Sequence, residues 1–457
     1  MKNIKKFRRN MRIALGIFSA LFSLLIIYLG YSVIAYGEKW FATPYNPRVQ
    51  SAVETIEAGT IYDRYGEKLA WSDEDGRHYS ARRDIRRATS HVVGDIHGKS
   101  VGAETVFAKY LYGMDKDMLE RLQEAAAGQE KRGSDITLTI DSQLSEYIYD
   151  NMDAMTGSVV VLNYKTGEIV ASVSIPTFDP KTVGEEEPKD TALVDRATMG
   201  RYPPGSIMKI VTASAAVEEG IDLRYTCTGE DIIRGQKVTC VKDHGEQTLK
   251  EAFANSCNTY FANLSVKLGG RRLLRQAEKF GFNEKFGFKD VNLYTSSFEI
   301  SAEEGDVAWA GIGQYNDLIT PMHAAMMAAT IANDGVMMQP KLLSSVAAGG
   351  YSAYELRPTV FRKVLEPEDA KVIKDYMFEV VESGTGTSAG VKNARICGKT
   401  GTAEFVEDGE VKNHSWFVGF VDDPENPYAI SVIFEGAGYG SRYAAPMAGK
   451  VLRKLIS

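Results

Sequence analysis

Three short motifs carry the residue types that acyl transfer by a serine requires. In YPPGSIMKI (202–210), Ser206 is followed three residues later by Lys209. Pro203-Pro204-Gly205 does not continue a helix easily, so a helix should begin near Ser206. The i,i+3 spacing then stacks hydroxyl and amine on one face. A serine needs a base within hydrogen-bond reach, and a buried lysine becomes one because desolvation lowers its pKa. The helix start also favours developing negative charge. Alone, S-x-x-K is a weak signal, since most such pairs are a surface serine and a surface lysine.

Two companions strengthen it. Ser256-Cys257-Asn258 lies on a turn between the helical patterns TLKEAFA and NTYFANLSVKL. Ser256 can relay a proton there, and Asn258 can hold a substrate amide through donor and acceptor. Taken alone, helix capping is the better explanation of the same residues. Lys-Thr-Gly occurs twice. Lys165-Thr166-Gly167 falls at a tight turn, where geometry explains the glycine. Lys399-Thr400-Gly401, followed by Thr402, lies in a strand-like run. Gly401 there marks close approach by a ligand or another chain, and an extended substrate can add to such a strand. Lys399, Thr400 and Thr402 offer a cation and hydroxyls suited to a carboxylate.

The order S-x-x-K, S-x-N, K-T-G is the set of penicillin-binding proteins and serine β-lactamases. The chain resembles the class B penicillin-binding proteins, monofunctional peptidoglycan D,D-transpeptidases. The similarity covers nearly the whole region after the first 40 residues. It includes GTIYDRYGEKLA (59–70), VGAETVFAKYLYG (101–113), LTID (138–141), KTGEIVASVSIPTFDP (165–180), HGEQTL (244–249), NSCNTYF (255–261), GIGQ (311–314), TP (320–321), GTGTSA (384–389) and GKTGTAE (398–404). Two departures bear on the first segment: Ala58 stands where relatives often carry arginine, and the segment is short for the class.

The resemblance implies Ser206, Lys209, Ser256 and Lys399 as catalytic residues. It implies Asn258, Thr400, Gly401 and Thr402 as substrate-binding, and the N–H groups of Ser206 and Thr402 as an oxyanion hole. Lys399 is expected to depress the pKa of Lys209 as a like charge. No metal or organic cofactor is implied. The partners are stem peptides, β-lactams, the membrane and a polytopic glycan polymerase of the SEDS family. A D,D-carboxypeptidase, a β-lactamase, a β-lactam sensor or a scaffold would use the same fold. No deacylating carboxylate stands out by spacing; Glu218 and Glu219 read as solvent-facing.

These residues need a scaffold, and its pattern is α+β. DITLTI (135–140), a hairpin over 158–174, and runs at 394–405, 413–421 and 428–436 read as strands. Residues 206–219, 248–254, 258–268, 271–280, 321–332 and 443–456 read as helices, giving an antiparallel sheet covered by helices. The expected order is a basic tail (1–12), a transmembrane helix (13–36), a stalk and small pedestal (37–133) and a transpeptidase domain (134–457). Residues 13–36 hold no charge and reach ~36 Å as a helix, enough for a bilayer. Tyr28, Tyr31, Tyr36 and Trp40 suit its far interface. The six cations of residues 1–12 place that end in the bacterial cytoplasm and the rest outside.

Of a formal net charge of −7, the tail supplies +6 and the remainder −13. So acidic a body argues against nucleic-acid binding. The basic run RHYSARRDIRR (77–87) reads as a solvated face or a lipid contact. Cys227 and Cys240 bracket a hairpin-like stretch and could form a disulfide worth ~3 kcal/mol. Cys257 and Cys397 read as small core residues, and no Cys/His spacing signals a metal.

Overall fold

The computed structural model describes residues 2–41, 56–116, 132–185, 188, 190–300, 304–314, 316–348, 351–407 and 409–457. One helix spans Lys2–Phe41, and residues 4–31 of its apolar stretch Ile4–Ser32 are exposed to the surroundings. That is how a membrane span appears without its bilayer. Tyr28 and Tyr31 are exposed on it. The side chains of Tyr36 and Trp40, and stalk residues 42–55, lie outside the described residues.

The catalytic scaffold is a five-stranded antiparallel sheet. Its order is Ile396–Glu407, Glu410–Val421, Tyr428–Phe434, Gly157–Asn163, Ile169–Ile175. The central strands read as unbroken β-branched runs because both faces are covered. Val159, Val161, Ile430 and Val432 face a core with Leu144, Ile148, Met447 and Val451 from helices Ser142–Asn151 and Ala444–Leu455. Val160, Leu162, Val418 and Ile433 face the main core with Met322 and Met326. Those methionines sit on helix Pro321–Ala332, whose every residue is buried. A helix apolar all round belongs inside. Its start is fixed by Thr320, whose hydroxyl accepts from His323 N at 3.2 Å, with Pro321 in the first turn.

A second sheet mixes distant parts of the chain. Its order is Tyr351–Glu355, Leu343–Ala348, Asp135–Leu138, Ile61–Tyr62, Lys68–Asp73, Gly76–Tyr79. The basic run beside it is a solvated face only in part, at exposed residues 81–84. Arg77 Nε meets Glu104 Oε1 at 2.7 Å with both side chains 3% exposed. Arg86 grips Asp179 through two 2.7 Å bonds, and Arg82 pairs with Glu146. Arg77 and Arg86 are held inside because acids distant in sequence fold against them, while Arg82 and Arg83 stay on the surface.

Candidate active site

Ser206 sits in a tight 3₁₀ turn, Gly205–Met208, that leads directly into helix Lys209–Glu218. The turn is pressed onto the strand carrying Lys399. Gly205 has φ +53°, and a Cβ there would lie 2.6 Å from Thr402 O. Gly401 faces the same contact: its Cβ would lie 2.9 Å from Trp416 Cβ and 3.1 Å from Ile207 Cγ2. The close approach predicted at Gly401 is therefore made by the chain's own nucleophile turn. Trp416 Nε1 pins the turn by donating to Pro203 O at 3.1 Å. Tyr202 OH donates to Glu435 at 2.7 Å, which also accepts from Arg196.

The three motifs meet. Lys209 Nζ lies 3.0 Å from Ser206 Oγ, 2.8 Å from Ser256 O, 3.3 Å from Ser256 Oγ and 2.7 Å from Asn258 Oδ1. Lys399 Nζ donates to the same Ser256 Oγ at 2.9 Å and to Thr400 O at 3.1 Å. Both lysines are fully buried, and among the described residues neither makes an ion pair. The rings of Phe261 and Phe253 lie 5.6 Å from Lys209 and Lys399 respectively. Burial lowers the Lys209 pKa to about 8, against the pull of nearby thiols. Burial first, and then the charge of Lys209, drives Lys399 well below the ordinary lysine range. The like-charge effect thus falls on Lys399, the reverse of the sequence expectation. Lys209 is offset by four oxygen acceptors, whereas Lys399 has two.

Ser256 holds φ +56°, uncommon for a residue with a side chain, and this twist turns its hydroxyl between the two amines. Asn258 opens helix Asn258–Leu268, and both ends of its amide are engaged. Oδ1 accepts from Lys209, and Nδ2 donates to Thr239 O at 2.9 Å. One amide hydrogen remains for a substrate. Thr400 and Thr402 follow Lys399 on an edge strand, whose other side pairs with no strand among the described residues.

Sequence reasoning left Thr385 and Gln314 without roles, although their stretches had been singled out. Thr385 Oγ1 meets Thr400 Oγ1 at 2.6 Å, and Gln314 Nε2 donates to Thr402 O at 3.3 Å. Lys165 stays apart, bonded to Asn333 Oδ1 beside a turn where Gly167 has φ +82°. Cys227 and Cys240 are not bonded to each other; all four cysteines are free thiols. The Cys227 sulfur lies 3.4 Å from His244 Nδ1, and that of Cys240 lies 3.7 Å from Cys257 Sγ.

This constellation, a serine between two buried amines on a helix-covered antiparallel sheet, defines a serine acyltransferase of the penicillin-binding type. Residues 157–453 match the penicillin-binding protein transpeptidase domain, and the chain belongs to that family. Peptidoglycan D,D-transpeptidase PbpA of Mycolicibacterium smegmatis is 29% identical over 448 residues, 89% of this chain and 90% of that protein. Stage V sporulation protein D of Bacillus subtilis is 30% identical over 349 residues, 71% of this chain and 53% of the other. Among solved structures, penicillin-binding protein A from M. tuberculosis, as its ceftriaxone acyl-enzyme complex, superposes with a TM-score of 0.81. It is 25% identical and covers 90% of this chain and all of its own.

Proposed function

We propose that this membrane-anchored enzyme cross-links peptidoglycan stem peptides through a Ser206 acyl-enzyme, and that β-lactams acylate the same serine. The observation that carries this reading is a buried Lys209 amine, 3.0 Å from Ser206 Oγ and without a carboxylate partner among the described residues. Neutral Lys209 takes the Ser206 proton as Oγ attacks the carbonyl of a D-Ala-D-Ala bond. The N–H groups of Ser206 and Thr402 receive the oxyanion, each donor worth ~3–4 kcal/mol. Ser256, within reach of both amines, passes a proton with Lys399 to the leaving D-Ala. Thr400 and Thr402 hold the terminal carboxylate, Gly401 lets the nucleophile turn approach, and Asn258 orients the peptide. An amine of a second stem peptide then attacks the ester and restores Ser206.

The basic tail keeps the N-terminus inside and the catalytic domain outside, near the membrane-linked substrate. Residues 37–133 serve as stalk and pedestal, residues 134–457 as the transpeptidase domain, and a SEDS-family polymerase is the partner we expect on the membrane side. Glu218 and Glu219, the acids that follow Lys209 on its helix, are held by Lys279 and Arg272 in surface ion pairs. That argues against their activating water for hydrolysis.

A fluorescent penicillin should label the full-length protein in detergent covalently, and Ser206→Ala should abolish the label. Unchanged labelling of the variant would overturn the nucleophile assignment. Mass spectrometry of muropeptides from cells carrying wild type or Ser206→Ala should show fewer cross-links in the latter. Shortened stem peptides without a change in cross-linking would instead mean a carboxypeptidase.

A further inference from the structure

The acyl-transfer chemistry leaves the GIGQ turn, residues 311–314, without a task, yet this turn touches the carriers of all three motifs. Gly311 O accepts from Thr212 Oγ1 at 2.7 Å, on the helix that begins at Lys209. A Cβ at Gly311 would collide with the Ser265 side chain, on the helix that begins at Asn258. Gly313 O accepts from Gly205 N at 2.9 Å, at the start of the nucleophile turn. Gly313 itself has φ +76°, and a Cβ there would collide with Gly205 O. Gln314 Nε2 donates to Thr402 O at 3.3 Å, on the Lys-Thr-Gly strand.

In an antiparallel sheet the N–H and C=O of one residue point to the same side of its strand. Thr402 O is met from outside the sheet, by Gln314 and by Gly205, whose Cβ would lie 2.6 Å away. Thr402 N–H therefore opens at the same edge, beside the Ser206 turn. The other oxyanion donor, Ser206 N–H, belongs to the peptide whose oxygen Gly313 crowds. Two consecutive residues thus hold both donor-bearing segments, Gly313 the nucleophile turn and Gln314 the edge strand.

We infer that Gln314 is a positioning residue of the oxyanion hole: it ties the Thr402 carbonyl to the 311–314 turn and so sets the spacing between the Ser206 and Thr402 N–H groups. The strand needs such a tie at this point. Thr402 pairs with Ser415, the last residue of its strand that also pairs with Phe434 on the next one. Beyond that rung, residues 403–407 and 410–414 form a two-stranded ribbon. Ribbons of two strands twist more than a sheet and are marginal alone. Gly440 N donates to the Thr402 hydroxyl at 3.4 Å, so side chain and carbonyl are held by different elements. An oxyanion donor acts fully only within ~2.7–3.1 Å of the charged oxygen, and misplacement by ~1 Å costs up to ~10²-fold in rate. This inference rests on the acyl-transfer reading above.

The test compares wild type, Gln314→Ala and Gln314→Glu as full-length protein in detergent. Stopped-flow acylation by a chromogenic β-lactam separates the affinity of the first complex from the rate of ester formation. Gln314→Ala should lower that rate ~10- to 10²-fold and leave the affinity and the thermal midpoint unchanged. An aryl boronic acid, whose adduct with Ser206 Oγ mimics the tetrahedral state, should lose affinity by the same factor. Gln314→Glu keeps the side chain's shape, and its carboxyl donates to Thr402 O only while protonated. Its rate relative to wild type should therefore fall as pH rises from ~5 to ~8. A merely structural glutamine would not produce that relative profile. Unchanged acylation and boronate binding in Gln314→Ala, a loss of rate matched by a loss of thermal midpoint, or a relative rate of Gln314→Glu that ignores pH would overturn the inference. Ser206→Ala separates the two readings. If it still takes the penicillin label, the acyl-transfer reading fails; if it loses the label while Gln314→Ala acylates normally, only the positioning role fails.

Discussion

Two regions of the molecule bury cations, and they do so in opposite ways. In the small N-terminal region, Arg77 is sealed against Glu104 and also donates to Gly59 O at 2.8 Å. Burial pulls the guanidinium's pKa down, but the charge and hydrogen bond of Glu104 outweigh it and hold it up. In the catalytic region, Lys209 and Lys399 meet only neutral oxygens, and burial lowers both. The chemistry of the side chains explains the split. An arginine cannot shed its proton in a protein, so its burial demands an anion. A lysine can, so an unpartnered buried lysine is a base held in readiness. The first arrangement secures a fold, and the second keeps two amines reactive.

The sharpest way to break this comparison is Lys209→Met. It should slow penicillin acylation by ~10²–10⁴, the range for loss of a general base, without lowering the thermal midpoint. A large loss of stability, measured by thermal unfolding, would make Lys209 as structural as Arg77. Glu104→Gln is the mirror experiment. Leaving Arg77 buried and unpaired should cost ~3–5 kcal/mol in denaturant unfolding, with acylation intact at low temperature. A loss of acylation without loss of stability would erase the distinction.

The pH profile gives a smaller effect. Only neutral Lys209 accepts a proton, and its neutral fraction grows as pH rises through about 8. Acylation at pH 7 should therefore run about tenfold below its alkaline plateau in stopped-flow measurements. A rate that falls with rising pH would mean that the charged amine is required. Smallest of all, Lys165→Ala at the other Lys-Thr-Gly should change neither acylation nor stability by more than ~0.5 kcal/mol. A clear loss of labelling would mean that the wrong triplet had been assigned.

Much of this was legible beforehand, because it depends on local rules. The helices Asn258–Leu268 and Pro321–Ala332 have the predicted bounds, set by the turn before one and a Thr-Pro cap before the other. The nucleophile helix differs, since the predicted start at Ser206 is a 3₁₀ turn and the α-helix begins at Lys209. Contact with the Thr402 strand tightens that turn, and no local pattern records such a contact. Thr385 escaped for the same reason, since its partner Thr400 is 15 residues away on another element.

The sequence by itself determined the order of motifs, the apolar anchor and the unbroken β-branched runs of a sheet covered on both faces, because each follows from neighbouring residues. Tertiary structure decided which lysine feels which charge, where the arginines spend theirs, and that Gly313 and Gln314 meet Gly205 and Thr402. Those outcomes depend on burial and on distances between elements far apart in the chain. Spacing along a sequence carries neither.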